Sequence, residues 1–130
     1  MFTIPQIKEA HSRVKSGADF PKFMQDIIAL GVTSFQTFVF DNHTDYYGNN
    51  NYQISSDGRP QLLVIADKSN IDQFKLDLKT HQKGQTDYPT FLEDCAKSGI
   101  EKWEVVMDIM TCTYYDKAGN EVLVEKIPEV

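Results

Sequence analysis

A segment of this chain recurs in diverged form, and no other feature constrains its fold as strongly. DFPKFMQDIIALG, residues 19–31, aligns with DYPTFLEDCAKSG, residues 87–99, at a shift of 68 (87 − 19), placing Asp19, Pro21, Phe23, Asp26 and Gly31 on Asp87, Pro89, Phe91, Asp94 and Gly99. The register continues without a gap. Phe35 falls on Trp103, Val39 on Met107, Tyr46 and Tyr47 on Tyr114 and Tyr115, Ile54 on Val122 and Pro60 on Pro128. A repeat of this length implies one supersecondary unit used twice, each copy burying equivalent apolar positions.

Each copy opens with an amphipathic helix. Thr3 followed by Gln6 is a capping-box signature, and Ile4, Ile7, His11 and Val14 follow at helical spacing, with Gly17 beyond the end. In the second copy the shift is 67: Ser69 followed by Asp72 marks the start, the stripe is Ile71, Phe74, Leu78 and His81, and Gly84 follows. A second helix begins at Asp19 or Asp87, carries Pro in its first turn, and closes at Gly31 or Gly99. Phe20, Phe23, Met24, Ile27 and Ile28 form a broad apolar face in one copy. Tyr88, Phe91, Leu92, Cys95 and Ala96 do so in the other.

Strand patterns follow. Phe35, Thr37 and Val39, and likewise Trp103, Val105 and Met107, share one face, with Lys102, Glu104 and Asp108 opposite. Turn chemistry at Gly48-Asn49-Asn50 and at Lys117-Ala118-Gly119-Asn120 predicts a hairpin in each copy. Leu62 to Ala66 has no counterpart and is expected to be an extra strand joining the halves. The expected fold is α+β: a single domain over 1–130, made of two tandem helix-helix-strand-hairpin repeats, 4–60 and 71–128. Four helices should pack on a largely antiparallel sheet with pseudo-twofold symmetry.

The chain of 130 residues is 41% hydrophobic, enough for one core without disulfide or metal staples. Cys95 and Cys112 match neither a zinc spacing nor a CxxC pair and suit the core. No apolar run is long enough to span a membrane, and the opening residues lack a secretory pattern, so a cytoplasmic location is expected. A net charge of −6 opposes nonspecific attraction to nucleic acid or anionic lipid, and Lys75, Lys79 and Lys83 read as a solvated helix face. The standard glycine-loop, nucleophile-elbow and zinc-helix motifs do not occur, and the sequence names no cofactor.

The opening IKEAHSRVKSGADFP, the segment IADKSNIDQF and the tail TCTYYDKAGNEVLVEKIP resemble an uncharacterised bacterial family labelled domain of unknown function 1398, over nearly the whole chain. Some of its relatives carry the label phage envelope protein. The resemblance implies no activity, cofactor or catalytic residue, and an acidic chain without a membrane segment lends that label no physical support.

Two asymmetries between the copies nominate surfaces. Asp41, His43 and Asp45 share one face if extended, and two carboxylates beside an imidazole suit acid–base chemistry or a divalent metal, yet Asp-Asn-His is also ordinary turn vocabulary. Their counterparts are Ile109, Thr111 and Thr113. Phe38 and Phe40 stand opposite Phe35, Thr37 and Val39, and beside Tyr47 they could form an apolar patch or pack on the 62–66 segment. His11, His81 and Cys95 read as core or helix-interface residues. The expected function is a non-enzymatic binding or regulatory module, a homodimer or a binder of another protein, using Phe38, Phe40, Tyr47 and Tyr52. The alternative is a small enzyme or metal binder centred on Asp41, His43 and Asp45, with Tyr47 or Tyr52 as proton donor.

Overall fold

A computed structural model describes residues 1–15 and 19–127, so the expected roles of Gly17 and Pro128 lie outside the described residues. The elements run α1 (Ile4–Ser12), α2 (Phe20–Leu30), β1 (Ser34–Phe38), β2 (Thr44–Tyr47), β3 (Gln53–Ser55), α3 (Ile71–Gln82), α4 (Tyr88–Lys97), β4 (Lys102–Val106), β5 (Thr111–Tyr115) and β6 (Glu121–Lys126). The predicted repeat of two helices and three strands is therefore present twice.

Local chemistry accounts for the helix ends. Thr3 and Gln6 form the expected reciprocal capping box on α1. The start of α3 differs from expectation: Asn70, not Ser69, is the cap, its side chain accepting from the Gln73 backbone N–H. Asn70 and Gln73 lie 67 residues after Thr3 and Gln6, so the cap obeys the repeat more closely than the Ser69 and Asp72 reading did. Asp87 caps α4 in extended geometry by accepting from Thr90 N–H. Asp19 has helical dihedrals and makes no capping bond to α2, and its carboxylate instead accepts from Lys15 N–H at 2.8 Å. Gly31 (φ 107°) and Gly99 (φ 79°) take the left-handed conformation that lets the chain leave each helix.

All six strands form one antiparallel sheet in the order β3-β2-β1-β4-β5-β6. Its centre is the seam between the copies, where β1 pairs with β4. There Gln36 lies opposite Glu104, its own equivalent 68 residues away, and donates from Nε2 to Glu104 Oε2 at 3.3 Å. The pseudo-dyad passes between them. Ser34 pairs with Tyr47 as Lys102 pairs with Tyr115, so the symmetry extends outward. It breaks at the far edge, where an irregularity between Tyr114 and Tyr115 sets Tyr114 against Leu123, whereas Tyr46 faces Ile54. Val122, the sequence counterpart of Ile54, is displaced by that bulge.

Residues of all four helices share one core with the sheet face bearing Phe35, Trp103, Val105, Cys112 and Tyr114. Phe74 of α3 meets Tyr114 at 4.8 Å and Phe91 of α4 meets Trp103 at 5.8 Å, fixing the helical layer on that side. The expected joining strand at 62–66 does not form. The segment joins no ladder and is anchored singly by Leu63 N–H to Phe40 O and Ala66 N–H to Ala96 O, and Val64 is 90% exposed. Direct pairing of β1 with β4 leaves no central place for another strand, so only Ile65 is buried there.

Candidate functional site

With the helices on one side, the other side of the sheet is left uncovered by them, and strand pairing arranges its side chains in three rows. The central row, from β2 across to β6, is Asp45, Gln36, Glu104, Thr113 and Val124. One flanking row holds Tyr47, Ser34, Val106, Thr111 and Lys126; the other holds Phe38, Lys102, Tyr115 and Glu121. Most are half-buried by their neighbours, and Val124 is 52% exposed. Lys102 ties the centre together. Its Nζ lies 5.6 Å from the Phe38 ring centroid and 5.3 Å from that of Tyr115, and donates to Gln36 Oε1 at 3.1 Å.

Asp41 and His43 sit at one end of this face, in the connection between β1 and β2, and Asp45 follows within β2. Asn42 has φ 61°, a conformation Asn tolerates, and its side chain accepts from the half-buried Tyr88 hydroxyl at 2.7 Å. This turn aims Asp41 back along the chain: Asp41 Oδ1 accepts from His43 N–H at 3.0 Å and lies 2.6 Å from His43 Nδ1. His43 Nε2 is 3.8 Å from Asp45 Oδ1, and Asp45 in turn accepts from Ser55 Oγ at 2.7 Å. The imidazole stacks on Phe38 at 4.5 Å with 5° between planes and meets Phe40 edge-on at 5.9 Å. The structure thus joins both nominated groups, the acidic cluster and the two phenylalanines, around one histidine ring.

Two nominated residues are placed differently. Tyr47 lies on the open face but four residues along β2 from His43, about 13 Å of extended strand. Desolvation, then the Asp45 and Glu104 carboxylates, push its phenol above the ordinary range. Tyr52 lies beyond the other end of β2, where its hydroxyl donates to Phe2 O at 2.6 Å and its ring meets Phe2 edge-on. That is a structural anchor for the N-terminal residues, away from the phenylalanines it was grouped with.

Of the remaining reactive side chains, the two thiols lie in the core and the two histidines pack on aromatic rings. Cys95 and Cys112 are buried free thiols, and burial pushes Cys112 up to about 12 and Cys95 well above its usual value, so both are protonated at neutral pH. His81 stacks on Phe91 at 4.4 Å with Nδ1 3.1 Å from Thr86 O, and burial lowers its pKa. His11 meets Phe23 edge-on at 5.3 Å. Among the described residues, no group of three or more His, Cys, Asp or Glu could hold a metal ion. A hollow of about 280 Å³ between α1 and α2 mixes polar residues such as Gln6, Arg13 and Asp26 with Ala10, Ala29 and Leu30 and stands open to solvent, unlike the enclosed apolar sites that hold small molecules.

Gln36, Lys102, Glu104, Val106 and Tyr115 belong to the open face and were not nominated from sequence. Tyr115 was recoverable, because the repeat already equated it with Tyr47. Alternation already set Lys102 and Glu104 opposite the apolar face, and the β1–β4 pairing was needed to bring them beside Gln36 and Phe38.

A family model described as protein of unknown function (DUF1398) matches residues 8–126, and the chain belongs to that family. No curated protein matches it. No described helix is long and apolar enough to cross a membrane.

Proposed function

We propose that this member of the DUF1398 family is a non-enzymatic binding module that engages a protein partner through its open sheet face. One observation carries the reading: helices cover a single side of a six-stranded sheet, and the other side presents Phe38, Tyr47, Val106, Tyr115 and Val124 interleaved with Gln36, Lys102 and Glu104. Aromatic anchors among polar groups are the usual composition of a protein interface. The mixed charges of this face give no basic track for nucleic acid. Two buried free thiols suit the reducing cytoplasm, where we place the protein.

The test is in-cell photocrosslinking from an unnatural residue placed at Thr113, in the central row of the open face, with Gln73 on the exposed side of α3 as control. Protein adducts from position 113 and none from 73 are expected. Equal adducts from both positions, or none from 113, would refute the reading.

A second reading, a small enzyme at Asp41, His43 and Asp45, is favoured by the 2.6 Å and 3.8 Å approaches of the two carboxylates to one imidazole. It predicts that a metabolite raises the Tm of wild type and not of His43→Ala. A flat thermal-shift panel would remove it.

A further inference from the structure

We infer that the open sheet face binds a second copy of this chain, stacked face to face about a twofold axis running along the strands between β1 and β4. This rests on the binding reading above and names its partner. Continuation of the sheet through its edges is the competing route to self-association, and both edges oppose it. β3 has three residues, and the edge strand β6 carries Glu121, Glu125 and Lys126 along its six.

Charge decides between the two face-to-face arrangements. Stacked sheets lie about 10 Å apart with strands within about 30° of one another. A twofold across the strands, along the central row, sets every residue of that row on its own copy, so that Asp45 meets the partner's Asp45 and Glu104 meets the partner's Glu104. Both are like-charge contacts at the middle of the interface. A twofold along the strands exchanges β1 with β4 and β2 with β5. Gln36 then meets the partner's Glu104, Phe38 meets the partner's Lys102, and Asp45 meets the partner's Thr113. No like charges in the three rows oppose one another in that arrangement. It also repeats between chains the Gln36–Glu104 hydrogen bond and the Lys102–Phe38 approach already present within one chain. The sheet angle displaces β2 and β5 by about half a row, leaving the central contacts in place.

The area sets the strength. Six strands about 4.8 Å apart and five residues long give a flat footprint of about 400 Å², below the roughly 800 Å² per partner of a standard stable interface. The dimer is therefore weak and reversible.

Sedimentation equilibrium of the full chain from about 1 µM to about 1 mM reads this directly, with amide chemical shifts of the wild type followed over the same dilution. Mass is expected to rise toward that of a dimer, with shifts confined to the open-face rows. Thr113→Lys, facing the partner's Asp45, should tighten association about threefold, and Thr113→Asp should weaken it by a similar factor. A monomer at the highest concentration, shifts on the helices, or weakening by both substitutions would each overturn the inference. A monomer that still crosslinks a different protein from position 113 leaves the binding reading standing; a monomer with no such adduct removes both.

Discussion

Asp26 and Asp94 occupy the same position in the two copies, and their pKa values move in opposite directions. Asp26 accepts from Lys22 Nζ at 2.9 Å and lies 3.5 Å from Arg13 Nη2, and chiefly the Lys22 bond holds its carboxyl below the ordinary range. Asp94 is pushed up, first by burial and then by Asp77. The repeat explains the reversal. The counterparts of Lys22 and Arg13 are Thr90 and Thr80, and the counterpart of Asp77 is Ala10. The two β-turns differ in the same manner. Asn42 and Met110 are equivalent and both left-handed, at φ 61° and 48°, yet only Asn42 suits that conformation and binds a tyrosine hydroxyl. What both copies retain is what shapes the backbone and core: Pro21 and Pro89, Phe23 and Phe91, Gly31 and Gly99. Helix-surface chemistry has diverged freely.

The sharpest way to break this equivalence is at the helix-closing glycines. Both have positive φ, but a Cβ on Gly99 would meet Lys68 O at 2.6 Å, whereas on Gly31 the nearest atom is the Phe2 ring at 3.8 Å. Gly99→Ala should cost about 3 kcal/mol or more and Gly31→Ala about 1–2 kcal/mol in urea unfolding. Equal losses would mean the connection to α3 is not packed as described.

Next in size is Asn42→Ala, which removes the partner of the Tyr88 hydroxyl and the polar side chain that makes left-handed backbone tolerable at this position. A loss of about 1–2 kcal/mol is expected, and much of it should disappear when measured in a Tyr88→Phe background. An unchanged penalty there would deny the hydrogen bond its role.

The smallest effects test the aspartates, and they should differ in sign. Asp26 has a depressed folded pKa, so its contribution is present above the unfolded value near 4 and is lost as pH falls through the folded value. Asp26→Asn should therefore lower stability at pH 7 by under about 1 kcal/mol, its cationic partners being largely exposed. The difference should vanish in strong acid. Asp94 has a raised folded pKa, so ionising it in the fold is unfavourable at neutral pH and that cost is relieved as pH falls. Asp94→Asn should slightly raise Tm at pH 7 and leave it unchanged at low pH. Shifts of the same sign in the two variants would contradict the opposed environments.

Much of the architecture was legible because its signals are local. Helix starts at Thr3 and Asp87, stops at Gly31 and Gly99, and alternation through Phe35, Thr37, Trp103 and Val105 follow from capping, backbone sterics and strand periodicity. The misreadings have local causes too. Ser69 offered the same capping chemistry one residue before Asn70, and the run from Leu62 to Ala66 has strand composition without a strand to pair with. At the candidate site, Asp41, His43, Asp45, Phe38 and Phe40 were found as departures from the repeat, and they do meet. Tyr52 was drawn in by nearness in sequence, and its partner Phe2 lies 50 residues away.

The sequence by itself determined that one unit is used twice, where α1, α2 and α4 begin, where α2 and α4 end, and which side of each central strand is apolar, because those depend on residues a few positions apart. Tertiary structure alone decided that the copies join through β1 and β4 into one sheet, with Gln36 against Glu104 on the dyad and all four helices on a single side. Strand pairing between distant segments is settled by burial and register over the whole molecule, and no short-range pattern carries that information.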